Sequence, residues 1–338
     1  MNSPILIKKN DKFFVEDVCI DSIIEKFATP AYIYSKQRIV DNFKNLESAF
    51  KNVDHMICFA VKANSNIAIL NLLAKNGAGF DIVSGGELRR VIAADGDPKK
   101  IVFSGVGKTS EEIKLAIENN ILAFNIESED ELSRIQEIAK SLNKKASISI
   151  RVNPDVNANT HPYISTGLKE NKFGVSEESA LNLYKKAKTM DSILIKGIDC
   201  HIGSQITDLK PFEDSVKKLI VLIDKLEIEG IKIKHLDIGG GIGISYKDEK
   251  TIAFDDYAKA VSSLTKGRGF KILLEPGRVI MADAGAILSK VEYVKRTQDK
   301  NFAIIDAAMN DLMRPSLYGA FHKILNSLPL VNEDTAFA

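Results

Sequence analysis

Short apolar runs rich in β-branched residues alternate along most of the chain with longer stretches in which apolar residues recur every three or four positions. The short runs predict strands, and the longer stretches predict amphipathic helices. Eight strands are predicted, at residues 57–61, 80–83, 101–103, 123–126, 147–152, 195–202, 233–238 and 271–274. Seven helices are predicted between them, at residues 66–76, 86–94, 110–119, 129–142, 177–190, 211–229 and 254–266. This alternation predicts an α/β protein built as a parallel (β/α)8 TIM-type barrel.

The residues at the predicted helix ends agree with these limits. Ser110 and Ser128 stand where N-caps are expected, and Glu131, which follows Ser128 at capping-box spacing, predicts a capping box. Gly77 and Gly230 directly follow helical stretches, as residues in the C′ position do. The caps therefore support the helix assignments.

The two ends of the chain have a different pattern. Residues 13–15 predict a short strand that is followed by a helix before residue 30, and residues 286–294 and 302–305 predict further strands. We expect both ends to join in one small β domain that flanks the barrel. The predicted divisions are 1–29 for the N-terminal part of this β domain, 30–277 for the barrel, and 278–338 for an incomplete C-terminal part.

The composition excludes several classes of function. Of the 338 residues, 45% are hydrophobic and 27% are charged, as in a soluble globular protein. The 46 basic and 45 acidic residues are interspersed, so no nucleic-acid partner is expected. No apolar stretch is long enough to span a membrane, and the first residues lack a signal-peptide pattern. The sequence thus predicts a cytoplasmic protein with no membrane partner.

Metal binding is not expected either. Cys19, Cys58 and Cys200 lie far apart in the sequence, and the five histidines show no ligand spacing. The cysteines are therefore predicted to be reduced thiols rather than a disulfide frame or a metal site.

Lys62 is a charged residue at the end of the apolar run 57–61. Desolvation at the inner end of a buried strand would lower the pKa of its amine toward the range in which the free amine is nucleophilic. Such a lysine can form a Schiff base with a carbonyl compound. The alternative is that its ammonium group extends past the strand end into water.

Polar residues also follow the other predicted strands. In parallel barrels the catalytic groups sit at the C-terminal ends of the strands, so these side chains are expected at one mouth of the barrel. The polar residues are Asp81, Ser84, Ser104, Glu127, Arg151, His201, Ser204, Gln205, Glu275 and Arg278, and Gly239, Gly240, Gly241, Pro276 and Gly277 lie at the same strand ends.

The glycine run 239–241 follows the seventh predicted strand, where barrels often bind phosphate through backbone N–H groups. A tight structural turn is the alternative interpretation. A dinucleotide-binding loop is not predicted, because Ile244 stands where that motif has Gly.

The triplet 107–109 (Gly-Lys-Thr) resembles the end of a P-loop. That motif also needs a Gly where this chain has Val102. The triplet is therefore interpreted as a loop and a helix cap, and an ATPase is not predicted.

A lysine that can form a Schiff base, a glycine run for a phosphate and Glu275 at the same mouth are the groups that pyridoxal 5′-phosphate needs. A carboxylate against the pyridine nitrogen keeps the ring protonated, which makes the ring an electron sink. Taken singly, Glu275 would be interpreted as a surface or salt-bridged residue, and His201 as a core histidine whose hydrogen bonds are all made. Their convergence with Lys62 predicts a pyridoxal phosphate site.

Five motifs together resemble the barrel-type pyridoxal phosphate decarboxylases and, among them, the diaminopimelate decarboxylases of lysine biosynthesis. The resemblance covers nearly the whole chain. The motifs are 59–64 (FAVKAN), 80–87 (FDIVSGGE), 201–205 (HIGSQ), 237–241 (DIGGG) and 275–278 (EPGR). The function implied is decarboxylation of meso-2,6-diaminopimelate to L-lysine.

The resemblance also implies the roles of individual residues. Lys62 would carry the cofactor, His201 would stack on its ring, and Glu275 would pair with the ring nitrogen. The other cofactor-binding residues implied, several of them at the phosphate, are Asp81, Arg151, Ser204, Gly239, Gly240, Gly241, Pro276, Gly277 and Arg278. The implied catalytic residues are Lys62, His201 and Glu275.

Residues 313–320 (MRPSLYGA) are similar to the family's segment for the far end of the substrate. Diaminopimelate has a distal carboxylate, which suits Arg314 and Arg278 with the Tyr318 hydroxyl. Ornithine and lysine have only a distal cation there. The alternatives are an ornithine or arginine decarboxylase, an amino-acid racemase of the same fold, or a non-catalytic pyridoxal phosphate-binding protein.

Members of the family continue past Tyr318 into strands with a Cys-Glu-Ser segment that serves the partner subunit's site as proton donor. This chain stops at Ala338 without it. The resemblance therefore implies a homodimer for the complete protein, and little or no activity for these 338 residues alone.

Overall fold

A computed structural model describes residues 5–156, 172–247 and 249–326. The chain divides into two compact units. We name them the terminal unit (Met1–Asp41, Ser245–Glu249 and Met281–Ala338) and the barrel unit (Asn42–Ile244 and Lys250–Ile280). Residues 1–4 and 327–338 of the predicted β domain lie outside the described residues.

The described strands and helices are named in chain order. The strands are β1 Leu6–Lys9, β2 Lys12–Val15, β3 Val18–Cys19, β4 Ala31–Tyr34, β5 His55–Ala60, β6 Gly79–Ile82, β7 Ile101–Phe103, β8 Ala123–Ile126, β9 Ala146–Arg151, β10 Ile193–Asp199, β11 His235–Asp237, β12 Lys271–Leu274, β13 Gly285–Leu288, β14 Val291–Arg296 and β15 Asn301–Ile305. The helices are α1 Ile20–Phe27, α2 Lys36–Ala49, α3 Ile67–Lys75, α4 Gly85–Ala93, α5 Ser110–Glu118, α6 Glu129–Ser141, α7 Glu177–Lys188, α8 Lys210–Ile228, α9 Phe254–Thr265, α10 Arg278–Met281 and α11 Arg314–Tyr318.

Strands β5 to β12 form a closed parallel barrel in which each strand pairs with its sequence neighbours. The ring closes where β12 pairs with β5, with Ile272 opposite His55. The strands are buried on both faces, which is why they read as near-continuous apolar runs in the sequence. The predicted TIM-type barrel is confirmed.

The predicted barrel strands and helices all exist, and most of their limits agree within two residues. Strand β10 ends at Asp199 rather than at residue 202, because its pairing with both β9 and β11 ends there. The last strand differs from the others in its crossover, since β12 is followed by the four-residue helix α10. The long helix α2, which precedes the first barrel strand, was not predicted.

The helix caps differ from the prediction in two places. Thr109, not Ser110, is the N-cap of α5, because its side chain and that of Glu112 complete a capping box. Ser128 does cap α6 by accepting the N–H of Glu131, but no capping box forms there. The Glu131 carboxylate instead accepts the N–H of Glu127.

The two glycines predicted to follow helices have the expected backbone. Gly77 and Gly230 have φ of 94° and 72°, and each comes directly after the C-cap residue of a helix. The αL region is open to glycine at little cost. Both predictions are confirmed.

The terminal unit joins both ends of the chain, as predicted, through antiparallel pairing of β4 with β13. Val15, Ile20, Ile33 and Leu288 form its buried apolar cluster. Because β4 belongs to this pairing, the unit extends to Asp41, beyond the predicted limit at residue 29. The predicted domain divisions remain a prediction.

The single strand-like run predicted for residues 286–294 is wrong. It is two strands, β13 and β14, separated at Ser289 and Lys290. The Asp306 carboxylate accepts hydrogen bonds from the Ser289 hydroxyl and the Lys290 N–H, which holds the chain in a turn there.

None of the described helices is long and apolar enough to cross a membrane. The three cysteines are free thiols, with Cys58 and Cys200 buried and Cys19 partly buried.

Candidate active site

Lys62 lies in a single 3₁₀ turn, Val61–Ala63, directly after β5. Its Nζ is 2.9 Å from Oδ2 of Asp81, the third residue of the adjacent strand β6. The Lys62 side chain is 53% exposed, whereas that of Asp81 is fully buried. The lysine is therefore held by a buried carboxylate, while about half of its side-chain surface stays exposed.

The expectation that desolvation lowers the pKa of Lys62 is wrong for this state of the protein. Burial does act to lower that pKa, but the charges of Asp81 and Glu275 outweigh it and raise the pKa above its usual range. The amine is thus an ammonium group at neutral pH. It must lose a proton before it can act as a nucleophile.

Glu275 follows β12 and is buried within the barrel. Its Oε1 accepts hydrogen bonds of 3.4 Å from the Ser104 hydroxyl and from the Asn125 amide. Because Ser104 directly follows β7 and Asn125 lies in β8, on another part of the ring, these contacts cross the barrel interior. Burial raises the pKa of Glu275 well above its usual range, and the nearby charge of Asp237 raises it further.

Asp199 and Asp237 lie beside Glu275, and sequence reasoning assigned neither of them a role. One carboxylate oxygen of each of the three residues lies within 4.8 Å of the others. Asp199 ends β10 and Asp237 ends β11. Each is a polar residue that directly follows a fully buried apolar one, Ile198 or Leu236, and that contrast was the available signal for a side chain inside the barrel.

Arg151, at the end of β9, is a buried cation of the same mouth. Its Nη1 donates to Oε1 of Glu127 over 3.2 Å, and its Nε lies 3.9 Å from Oδ2 of Asp199. Its guanidinium also lies over the Phe173 ring. Burial acts to lower the pKa of Arg151, but Glu127 and Asp199 outweigh it and raise the pKa, so the charge is retained.

His201 is a neutral ring in this arrangement. Desolvation, aided by the positive charges of Arg151 and Lys62, holds the pKa of His201 well below its usual value. The Gly240 N–H lies 3.3 Å from its Nδ1, which makes that nitrogen the acceptor. A neutral imidazole can lie against an aromatic ring without adding charge to it.

The glycine run 239–241 is required by close backbone packing. A Cβ on Gly240 would lie 2.1 Å from the carbonyl oxygen of Glu275, and a Cβ on Gly239 would lie 2.5 Å from that of Cys200. Gly239 and Gly241 also have φ of 67° and 99°. The need for glycine is thus explained by contacts of this loop with its neighbours, as the alternative interpretation of the sequence held, and phosphate binding by the loop remains a prediction.

The turn after Glu275 is tied into the same strand-end loops. The Pro276 carbonyl accepts the N–H of Ala60, and Gly277 packs against Ala63, where an added Cβ would approach within 3.1 Å. Arg278 donates from Nη1 to Oε1 of Gln205 over 2.8 Å. Ser204, the residue before Gln205, is partly buried.

Arg314 and Tyr318 belong to α11 of the terminal unit. The Arg314 guanidinium lies over the rings of Tyr246 and Tyr318, and its Nη2 donates to the Tyr246 hydroxyl over 3.3 Å. Tyr246 was not predicted. Their role toward a substrate remains a prediction.

Lys108, in the triplet that resembles a P-loop end, is a buried structural residue. Its Nζ donates to the carbonyls of Gly105 and Asn125 and to Oε1 of Glu131, over 2.7, 2.8 and 2.6 Å. Its side chain is 1% exposed. The interpretation of this triplet as a loop and a cap is confirmed.

The comparisons with known proteins agree with this geometry. A sequence model described as the pyridoxal-binding domain of the pyridoxal-dependent decarboxylases matches residues 36–282. The curated diaminopimelate decarboxylase of Pseudomonas aeruginosa is 51% identical over 93% of this chain and 75% of its own length. The chain belongs to the family of the diaminopimelate decarboxylases.

Solved structures of this family have the same fold. The diaminopimelate decarboxylase of Helicobacter pylori, complexed with L-lysine, matches with a TM-score of 0.87 and 46% identity, over 90% of this chain and 77% of that one. The lysine decarboxylase of Selenomonas ruminantium has a TM-score of 0.80 but 22% identity over 91% of this chain and 78% of that one, which shows the fold alone. The resemblance stated from the sequence motifs is therefore confirmed.

Proposed function

We propose that this protein decarboxylates meso-2,6-diaminopimelate to L-lysine and CO2 with pyridoxal 5′-phosphate as cofactor. The proposal is supported by the 51% identity to a curated diaminopimelate decarboxylase and by the L-lysine bound to a solved relative. The observation that carries it is the placement of the Lys62 amine beside Asp81, at the mouth of a barrel whose interior holds Glu275.

The residues present fit the cofactor by their charge and their incomplete hydrogen bonding. Asp81, Asp199 and Asp237 each keep one buried carboxylate oxygen without a hydrogen-bond partner among the described residues. Glu275 receives only long bonds from neutral donors among those residues. An anionic mouth of this kind suits a protonated pyridine nitrogen, which both donates a hydrogen bond and adds a positive charge.

Each residue would act through what it binds or holds. Lys62 would hold the cofactor covalently, with Asp81 as its counter-charge, and Glu275 would hold the proton of the ring nitrogen. His201 would cover one face of the ring, and Arg151 would stay fixed by Glu127. The phosphate would be held by Ser204, Gly239, Gly240, Gly241, Pro276, Gly277 and Arg278. When bound, pyridoxal phosphate supplies an electron sink for the negative charge left on the α-carbon as CO2 departs.

Substrate choice would rest on arginine. Arg314, helped by Arg278 and the Tyr318 hydroxyl, would hold the distal carboxylate of diaminopimelate, because a guanidinium can donate two parallel hydrogen bonds to one carboxylate. Ornithine and lysine offer no carboxylate at that end.

The attachment site is tested by adding pyridoxal phosphate, reducing with borohydride and mapping the labelled peptide. We expect the label on Lys62 and its loss in Lys62→Ala. The matched control is Lys108→Ala, in which the label on Lys62 persists in the folded fraction. Labelling of another residue in the unchanged protein would contradict the assignment. Release of CO2 and lysine from meso-diaminopimelate, and none of CO2 from ornithine, tests the reaction itself, with these 338 residues assayed beside a version extended by a Cys-Glu-Ser segment.

A further inference from the structure

Asp199, Asp237 and Glu275 form a carboxyl cluster inside the barrel. Their nearest carboxylate oxygens lie within 4.8 Å of one another, and their exposed fractions are 1%, 0% and 7%. Two carboxylates this close in the interior do not both stay ionised without a cation or a proton between them.

Two cations act on the cluster, and their direct partners are residues other than Asp237 and Glu275. The Lys62 ammonium is paired with Asp81, and Arg151 donates to Glu127 and approaches Asp199 to 3.9 Å. Among the described residues, the remaining carboxyl groups of the cluster, Asp237 and Glu275, therefore have no cation as a direct partner.

The hydrogen bonds of Asp237 leave one of its oxygens open. Its Oδ1 accepts the Gly239 N–H over 2.9 Å, which fixes the orientation of the carboxyl group. Its Oδ2 is buried and has no hydrogen-bond partner among the described residues. The backbones of the two residues are also tied together, since the Glu275 N–H donates to the Gly239 carbonyl over 2.8 Å.

We propose that Asp237 and Glu275 share one proton when no cofactor is bound, and that Asp237 is thereby a positioning residue that fixes the Glu275 carboxyl group. The proton is taken from water when the chain folds, and no other bond forms or breaks. The pair then carries one negative charge instead of two.

The pKa shifts in the cluster show that the charge of Asp237 acts on both of the other carboxyl groups. The pKa of Asp237 is raised to about 7, and burial is the largest cause. The charge of Asp81 also acts to raise this pKa, whereas the Gly239 N–H and the side chains of Glu275 and Asn125 act to lower it. After burial, the charge of Asp237 is the largest cause of the raised pKa of both Glu275 and Asp199. Lys62 acts in the opposite direction on Glu275, with a smaller effect than that of Asp237.

The consequence for catalysis rests on the proposed function. A Glu275 side chain fixed by Asp237 would meet the cofactor ring without first reorienting, which is the kind of support that a second row of residues gives to a catalytic group.

The test uses the full chain without cofactor and measures thermal unfolding of Asp237→Asn against the unchanged protein. Asparagine keeps an acceptor for the Gly239 N–H and offers an N–H in place of the shared proton. Because the folded pKa of the pair lies above the unfolded value of 3.8, charging the pair costs stability progressively as pH rises from about 4 to about 7. The variant should therefore match the unchanged protein near pH 4 and melt several degrees higher near pH 8.

Asp199→Asn is the matched control, because Asp199 has Arg151 as a neighbour and Asp237 does not. It should retain the pH-dependent loss of stability. If Asp199→Asn abolishes that loss while Asp237→Asn keeps it, the proton belongs to Asp199 and the proposal is overturned. The proposal would also be overturned if the melting temperatures of Asp237→Asn and the unchanged protein differed by the same amount at every pH.

Two further measurements make the test specific. The infrared carbonyl band of a protonated carboxyl group should lose intensity in Asp237→Asn and lose no more when Glu275→Gln is added. The melting temperature should not shift when Mg²⁺ or Mn²⁺ is added at neutral pH. A shift would mean that a cation binds in the cluster in place of the proton, and it would overturn the proposal. A protein that shows the expected pH profile but takes up no pyridoxal phosphate would contradict the proposed function and leave the shared proton standing.

Discussion

Lys62 and Lys108 both follow barrel strands, and each pairs with a carboxylate, yet their surroundings differ in every other respect. Lys108 is 1% exposed and has three acceptors within 2.8 Å, so its ammonium group is fully satisfied. Lys62 is 53% exposed, and Asp81 is its acceptor. An ammonium group whose hydrogen bonds are all made, such as that of Lys108, holds loops together. An ammonium group with one charged partner and a half-exposed side chain, such as that of Lys62, is available for chemistry.

The largest expected effect is on stability, at the saturated site. Lys108→Met should lower the free energy of unfolding by about 3–5 kcal/mol, because it leaves the Glu131 carboxylate buried without its cation. Lys62→Met, the matched change at the open site, should cost about 1 kcal/mol, since the half-exposed Lys62 side chain makes one hydrogen bond where Lys108 makes three. Urea unfolding of both variants measures this, and equal losses would remove the distinction between the two lysines.

A smaller loss of stability is expected when Glu131, the partner of Lys108, loses only its charge. Glu131→Gln should cost about 2 kcal/mol, because Lys108 keeps its two carbonyl acceptors but loses its charged one. The same urea experiment applies. A loss as large as that of Lys108→Met would mean that the carbonyl contacts contribute little.

The smallest effect concerns the protonation of the open lysine. Asp81→Asn removes the main charge that raises the pKa of Lys62, so the fraction of free amine should rise. Each unit of pKa changes that fraction about tenfold at a pH below the pKa. Trinitrobenzenesulfonate should therefore modify Lys62 at least about tenfold faster in the variant near pH 8, while Lys108 stays unmodified in both proteins. An unchanged rate would show that Asp81 does not control the amine.

The barrel could be predicted from the sequence because parallel strands that are buried on both faces leave long apolar runs, as in residues 123–126 and 271–274. The positions of Lys62, Arg151, His201 and Glu275 at one mouth followed from the strand ends alone. Helix α2 was missed because it precedes the first barrel strand, where the alternation of strands and helices gives no reason to expect it.

The electrostatics of the site could not be predicted in the same way. The sign of the Lys62 pKa shift depends on Asp81 and Glu275, which approach it from other strands. The pairing of Lys108 with Glu131 depends on a contact between the loop before α5 and helix α6. Both facts are set by neighbours in space, and no local pattern encodes them.

The pairing of β12 with β5, which closes the barrel, has a consequence for the protein while it is being synthesised. Strand β5 is made first among the barrel strands, and its partner β12 is made last. As the chain leaves the ribosome, successive strands can pair with the neighbour just made, but the outer edge of β5 around His55 and Met56 must wait for the end of the series. Until then the growing sheet has an apolar edge open to other chains. Newly made protein is therefore most vulnerable to aggregation just before Lys271–Leu274 emerges.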